Sequence, residues 1–116
     1  MLALVASRKD LMDFTDTRDV VSSPDFDAAY LHLTGDPYVT LRQRGDFVKG
    51  EYRIGVMYGM INGSAHSDFV DFHFQGNEEM EDAFGEGEAT LDGDRLVFEL
   101  WHHNGDEYTF ECERRR

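Results

Sequence analysis

The 116-residue sequence predicts an all-β domain: an up-and-down antiparallel eight-stranded barrel with one short helix in its first connection. Three observations predict it. Apolar and polar residues alternate with period two from residue 38 onward, and helical spacing is nearly absent. Short turns carrying glycine separate the alternating runs. Finally, an open meander of that many strands would expose two unpaired edges, which pairing of the last strand with the first removes.

The elements follow in order. A first strand is expected near 18–22, in Arg18-Asp19-Val20-Val21-Ser22. A short helix follows: Ser23 is placed as its N-cap, Pro24 suits its first position, and Asp25 and Asp27 favour the positive end of its dipole. Phe26, Ala29 and Tyr30 would share one of its faces. Seven further strands are expected near 38–43, 47–54, 56–62, 69–75, 83–91, 95–102 and 107–114. Arg44-Gly45-Asp46, Asp92-Gly93-Asp94 and Asn104-Gly105-Asp106 place glycine where a tight hairpin needs positive φ, and Asn62-Gly63 and Gly76-Asn77 mark further reversals. Gly50, Gly55, Gly59, Gly63, Gly85 and Gly87 fall inside the predicted strands, where they permit the curvature that closure requires. Residues 1–12 read as a frayed N-terminal leader and 13–116 as a single barrel domain.

This order of strand, lid-like connection and seven meandering strands resembles the lipocalin and avidin (streptavidin-like) group of ligand-binding barrels. More narrowly, Ser22-Ser23-Pro24-Asp25-Phe26-Asp27, Pro37-Tyr38-Val39-Thr40-Leu41-Arg42-Gln43, Gly50-Glu51-Tyr52-Arg53-Ile54-Gly55 and Gly93-Asp94-Arg95-Leu96 resemble segments of small bacterial proteins of uncharacterised function. The resemblance implies a calycin-type fold and no particular activity. The lipocalin Gly-x-Trp signature is absent: the matching positions read Asp16-Thr17-Arg18. Arg114 or Arg115 is similar in position to the basic residue that covers the lipocalin tryptophan. With Arg18 in the tryptophan's place, these guanidinium groups would need acids such as Asp16 or Asp19.

Composition excludes several classes. The chain is 41% hydrophobic and 13% aromatic, too apolar for a disordered protein, even with 24 acids against 11 bases and a net charge of −13. That charge would repel nucleic acid. No stretch approaches the ~18 to 20 apolar residues of a membrane helix. The single cysteine, Cys112, permits no intrachain disulfide, so a cytoplasmic protein is expected. The acid excess with only two lysines suits either a high-salt cytoplasm or a GC-rich genome.

No nucleophile elbow, phosphate loop, dinucleotide fingerprint or recognised metal-ligand spacing is present, so no catalytic residue, metal or cofactor is assigned. Asp71 and His73 share a strand face, His102 and His103 point to opposite faces, and the acidic stretch 77–82 lacks EF-hand spacing. Glu86, Glu88, Glu99, Glu107, Glu111 and Glu113 alternate with apolar residues and should face water, where carboxylates make poor general acids.

The inward face carries the functional expectation. Val39, Leu41, Val48, Tyr52, Ile54, Val70, Phe72, Phe74, Leu91, Leu96, Phe98, Leu100, Tyr108 and Phe110 converge there, with Gly50, Gly85, Gly87 and Ala89 as gaps. An eight-stranded barrel is just wide enough to be filled by side chains or to hold one small ligand. The first reading is a small apolar molecule bound in the interior by Tyr52, Phe72, Phe74, Phe98, His102, Tyr108 and Phe110, with the 23–36 segment as lid. The alternative is a packed structural or interaction barrel without ligand, a homodimer or protein partner using the outer wall around Trp101. An enzyme using Tyr52, Tyr108 or His102 ranks last.

Overall fold

The computed structural model describes residues 12–115; the leader expected at the N-terminus lies almost wholly outside the described residues. Eight strands form one closed antiparallel barrel in sequence order: β1 (Asp16–Ser22), β2 (Tyr38–Arg44), β3 (Phe47–Ile54), β4 (Met57–Ala65), β5 (Phe69–Glu78), β6 (Glu81–Asp92), β7 (Arg95–His102) and β8 (Glu107–Arg114). Closure is by β1 against β8, with Arg18 opposite Arg114, Val20 opposite Cys112 and a bulge between Val20 and Ser22. Helix α1 (Ala28–Leu31) lies in the β1–β2 connection. Among the described residues, no helix is long and apolar enough to cross a membrane.

Burial alternates along the strands as the period-two reading requires. Of the residues predicted to point inward, Leu91 and Tyr108 are half-buried, and the other twelve form the core with Phe14, Val20, Met57, Ile61 and Cys112. The inward glycines do not leave a void. Phe72 has glycine opposite it on both sides, Gly63 on β4 and Gly87 on β6, and Tyr52 faces Gly59. A Cβ on Gly87 would meet Phe72 Cζ at 2.7 Å, and one on Gly59 would meet Tyr52 Oη at 2.6 Å. Each ring therefore lies over a glycine, and the space left by the missing side chain is occupied by its neighbour.

Four boundaries differ from the sequence reading. The β4 strand continues through Asn62-Gly63-Ser64, because Gly63 pairs with both Val48 and Phe72, and the reversal comes after Ala65. The β5 and β6 strands likewise run on past Gly76-Asn77, so the turn falls on Glu79-Met80. Both turn residues take positive φ, 49° and 70°, the backbone that a two-residue hairpin needs to match strand twist. Gly55, counted among the strand glycines although it falls between the ranges 47–54 and 56–62, lies in the β3–β4 turn at φ 60°. Helix α1 begins later than expected, because Asp27 accepts from Tyr30 N at 2.9 Å and serves as the cap. Ser23 Oγ is directed elsewhere and donates to the Thr109 carbonyl at 2.6 Å.

The two ends of the barrel are distinct. At one, the β2–β3, β4–β5 and β6–β7 hairpins meet the start of β1 and the end of β8. Here Phe14 is fully buried and Arg18 is 1% exposed, its Nη1 donating to the Phe14 carbonyl at 2.9 Å. Arg114 pairs with Asp16 at 2.6 Å, and Arg115 reaches Asp19 through Nε and Nη2 at 2.9 and 2.7 Å. Asp16 and Asp19, the acids expected to receive guanidinium groups here, do so from Arg114 and Arg115.

Candidate functional site

The Arg18 end is the closed end of the barrel; the other end is lidded by the β1–β2 connection. Ser23 is anchored to β8 as described, and Thr109 N donates to Asp25 Oδ2 at 2.7 Å. On the far side, Thr34 Oγ1 donates to the Gly55 carbonyl at 2.5 Å and Gly55 N donates to the Leu31 carbonyl at 3.3 Å. The lid thus crosses the mouth and is fixed on both rims. A side chain at Gly55 would collide with the Tyr30 ring, whose Cζ would stand 2.6 Å from the added Cβ. The lid inserts two rings: Phe26 stacks on Tyr30 at 4.3 Å, meets Tyr108 edge-on at 4.8 Å and lies parallel to Phe110 at 5.9 Å.

Beneath the lid is His102, at the end of β7. The residue is 8% exposed, and its ring lies edge-on between Phe74 at 5.0 Å and Tyr108 at 5.2 Å. Its backbone N donates to the Asp106 carbonyl, but neither imidazole nitrogen has a hydrogen-bond partner. The nearest carboxylate oxygen is Glu78 Oε1, 3.7 Å from Nε2 and beyond bonding distance. Burial lowers the His102 pKa, against the opposing pull of Glu78 and Asp106. The ring is therefore neutral at neutral pH, with one donor and one acceptor both unsatisfied. Such groups cost about 1–3 kcal/mol each when buried without a partner.

Glu78 is the charge that these groups share. Burial raises the pKa of Tyr52, with Glu78 adding to it, and burial followed by Asp106 and Glu78 pushes Tyr108 up to about 12. Tyr30 is raised by burial in the same way, despite an opposing backbone hydrogen bond. All three phenols consequently remain protonated near neutral pH and can donate. Tyr108 directs its hydroxyl to Asp106 Oδ2 at 3.4 Å. A neutral imidazole, a carboxylate and phenol donors set among aromatic faces can grip a small flat molecule by its polar edge.

The structure brings all seven residues expected to line the interior into one connected series of rings. Phe72 stacks on Phe98 at 5.3 Å, Phe98 meets Phe110 at 6.5 Å and Tyr52 at 5.8 Å, and Tyr52 meets Phe74 at 6.1 Å. Phe74 then leads to His102 and Tyr108 at the mouth. Glu78, Phe26 and Tyr30 are absent from the set expected on sequence grounds. A signal for Glu78 is present: Val70, Phe72 and Phe74 fix the inward parity of β5, and continuing it reaches Gly76 and Glu78.

Elsewhere, His66 Nε2 lies 3.2 Å from Asp71 Oδ1, His73 approaches Glu86 at 3.9 Å, and His103 stacks on Phe84 outside the barrel. Among the described residues, no three His, Cys, Asp or Glu side chains converge as metal ligands. Cys112 is fully buried, and burial pushes its thiol up to about 12, so it behaves as a small hydrophobe. No protein-family model matches the chain and no curated protein is significantly similar to it; what the molecule offers as a recognisable unit is the closed eight-stranded antiparallel barrel, consistent with a calycin-like fold.

Proposed function

We propose that this protein is a small-molecule-binding barrel, akin to the lipocalin and avidin-like proteins, that works in the cytoplasm and takes its ligand at the lidded end. The ligand is a small, mostly apolar molecule with one polar edge. The single observation carrying this reading is the buried His102 ring, unpartnered at both nitrogens and facing Glu78. A barrel serving only as a packed scaffold would gain stability from a hydrocarbon at that position. The site is narrower than a lumen-wide pocket, because Phe72, Phe98 and Phe110 already occupy the middle of the barrel. Phe26, held in a lid with few helical residues, occupies the position a flat ligand would take against Tyr108 and Phe110.

A set of planar nitrogen heterocycles screened by NMR tests this. Binders are expected to shift the His102 and Tyr108 ring resonances and the Phe26 amide together, and to lose affinity in His102→Phe. No binder at millimolar concentration, or binders that ignore His102→Phe, would defeat the reading.

A further inference from the structure

The outward faces of β4 to β7 carry a second, independent feature. Cross-strand pairing sets Met60 beside Gln75 and Gln75 beside Phe84, and His103 stacks flat on Phe84 at 3.9 Å. Met60 and Phe84 are 65% and 50% exposed, and with His103 they form an apolar patch on the wall. The next row places His73, Glu86 and Trp101 directly opposite one another. Between the rows lies a shallow hollow, largely open to solvent, lined by His73, Phe84, Gly85, Glu86, Trp101 and His103. One row further, Glu88 is flanked by Asp71 on one side and Glu99 on the other. Like charges placed directly opposite in a sheet are destabilising, and the fold has no need of three in succession. Between β4 and β7 no lysine or arginine stands in these rows. Arg95, the outward base of β7, stands at the other end of that strand and is taken up by Glu111 and Glu113 at 2.6 and 2.9 Å, and Arg42, Arg44, Lys49 and Arg53 stand on β2 and β3.

We propose that this groove docks an extended, arginine- or lysine-bearing segment of a partner protein. Its cationic heads lie over the faces of Phe84 and Trp101, beside the Glu86 carboxylate and the acidic row, and the net charge of −13 draws the segment in. Charge complementarity selects this occupant over a second copy of the chain. A second copy would bring the same charge of −13, and on its basic wall Arg42 is already engaged by Glu51 at 2.8 Å.

Trp101 is the only tryptophan in the sequence, so its fluorescence reports on the groove alone. The intact protein would be titrated with a short synthetic peptide alternating arginine and glycine, and with the same peptide carrying neutral citrulline for arginine. The arginine peptide is expected to give a saturable change that weakens with added salt, and the citrulline peptide to bind about tenfold more weakly or not at all. Glu86→Gln and Phe84→Ala should each weaken binding by roughly threefold or more. Asp46→Asn, which removes the same charge in the distant β2–β3 turn, should stay within about twofold. Should Phe84→Ala fail to fold, Glu86→Gln against Asp46→Asn decides the matter. Equal binding of the two peptides, or equal effects of Asp46→Asn and Glu86→Gln, would overturn the proposal. So would a Trp101 change that tracks protein concentration without peptide, with dimers in sedimentation, because the occupant would then be a second copy.

Discussion

At the closed end of the barrel, Arg18 is buried with its Nη1 on the Phe14 carbonyl, beside the Arg114–Asp16 pair. At the lidded end, His102 is buried to a similar degree, yet both its nitrogens lack partners and its nearest carboxylate stands 3.7 Å away. The same strands supply both ends and the same ring layer joins them. On the proposed reading, the difference lies in what the polar groups are for. Arg18 makes a bond within the fold, whereas the proposed ligand would supply the partner that the His102 ring lacks.

The comparison can be broken in several ways. The largest effect belongs to the layer both ends share: Phe98→Ala should lose about 3–5 kcal/mol in denaturant unfolding, because Phe72, Tyr52 and Phe110 all rest on that ring. A loss below about 1 kcal/mol would mean that the middle of the barrel is not packed as described. Next comes Arg18→Ala at the closed end, where a large buried side chain and its hydrogen bond disappear together; a loss of about 2–4 kcal/mol is expected. His102→Phe at the other end should be neutral or stabilising by up to about 1 kcal/mol, since it removes two unsatisfied polar atoms from a ring-lined position. If His102→Phe destabilises as much as Arg18→Ala, the two ends do not differ in the way proposed.

Acid sharpens the same contrast. Because burial lowers the His102 pKa below its ordinary value near 6.5, the unfolded chain takes up the proton first as pH falls. Stability is whole above about pH 6.5 and is lost as pH drops towards the lowered folded value. The wild type should thus lose melting temperature over this range relative to His102→Phe, and parallel curves would show that His102 is not held neutral. The smallest effect is expected for Arg114→Ala. Its side chain is 66% exposed and its pair with Asp16 is screened from that side, so unfolding should shift by no more than roughly half a kcal/mol.

Much of the barrel was legible in the sequence because strand parity is a local property. Leu96, Phe98 and Leu100 announce an inward face without knowledge of any partner strand. Reversals were less legible. Asn62-Gly63 and Gly76-Asn77 have the composition of turns, yet they lie in strands because their glycines sit against large neighbours, Phe72 in the first case. The true β5–β6 turn uses Glu79 and Met80, which carry no turn signature. The lidded site suffered from the same error. Ending β5 early removed Glu78 from the interior, and nothing local to Phe26 indicates that its ring reaches Tyr108, 82 positions along the chain.

The sequence by itself determined which side of each strand faces inward, the number and order of the strands, and the acidic outer surface, since alternation and charge are written residue by residue. Only the tertiary structure decided that Gly59 and Gly87 are covered by rings, that the His102 ring is left without a bond, and that Phe84, Trp101 and Glu86 share one face. Those outcomes depend on register between strands far apart in the chain, and register is fixed only when the whole wall closes on itself.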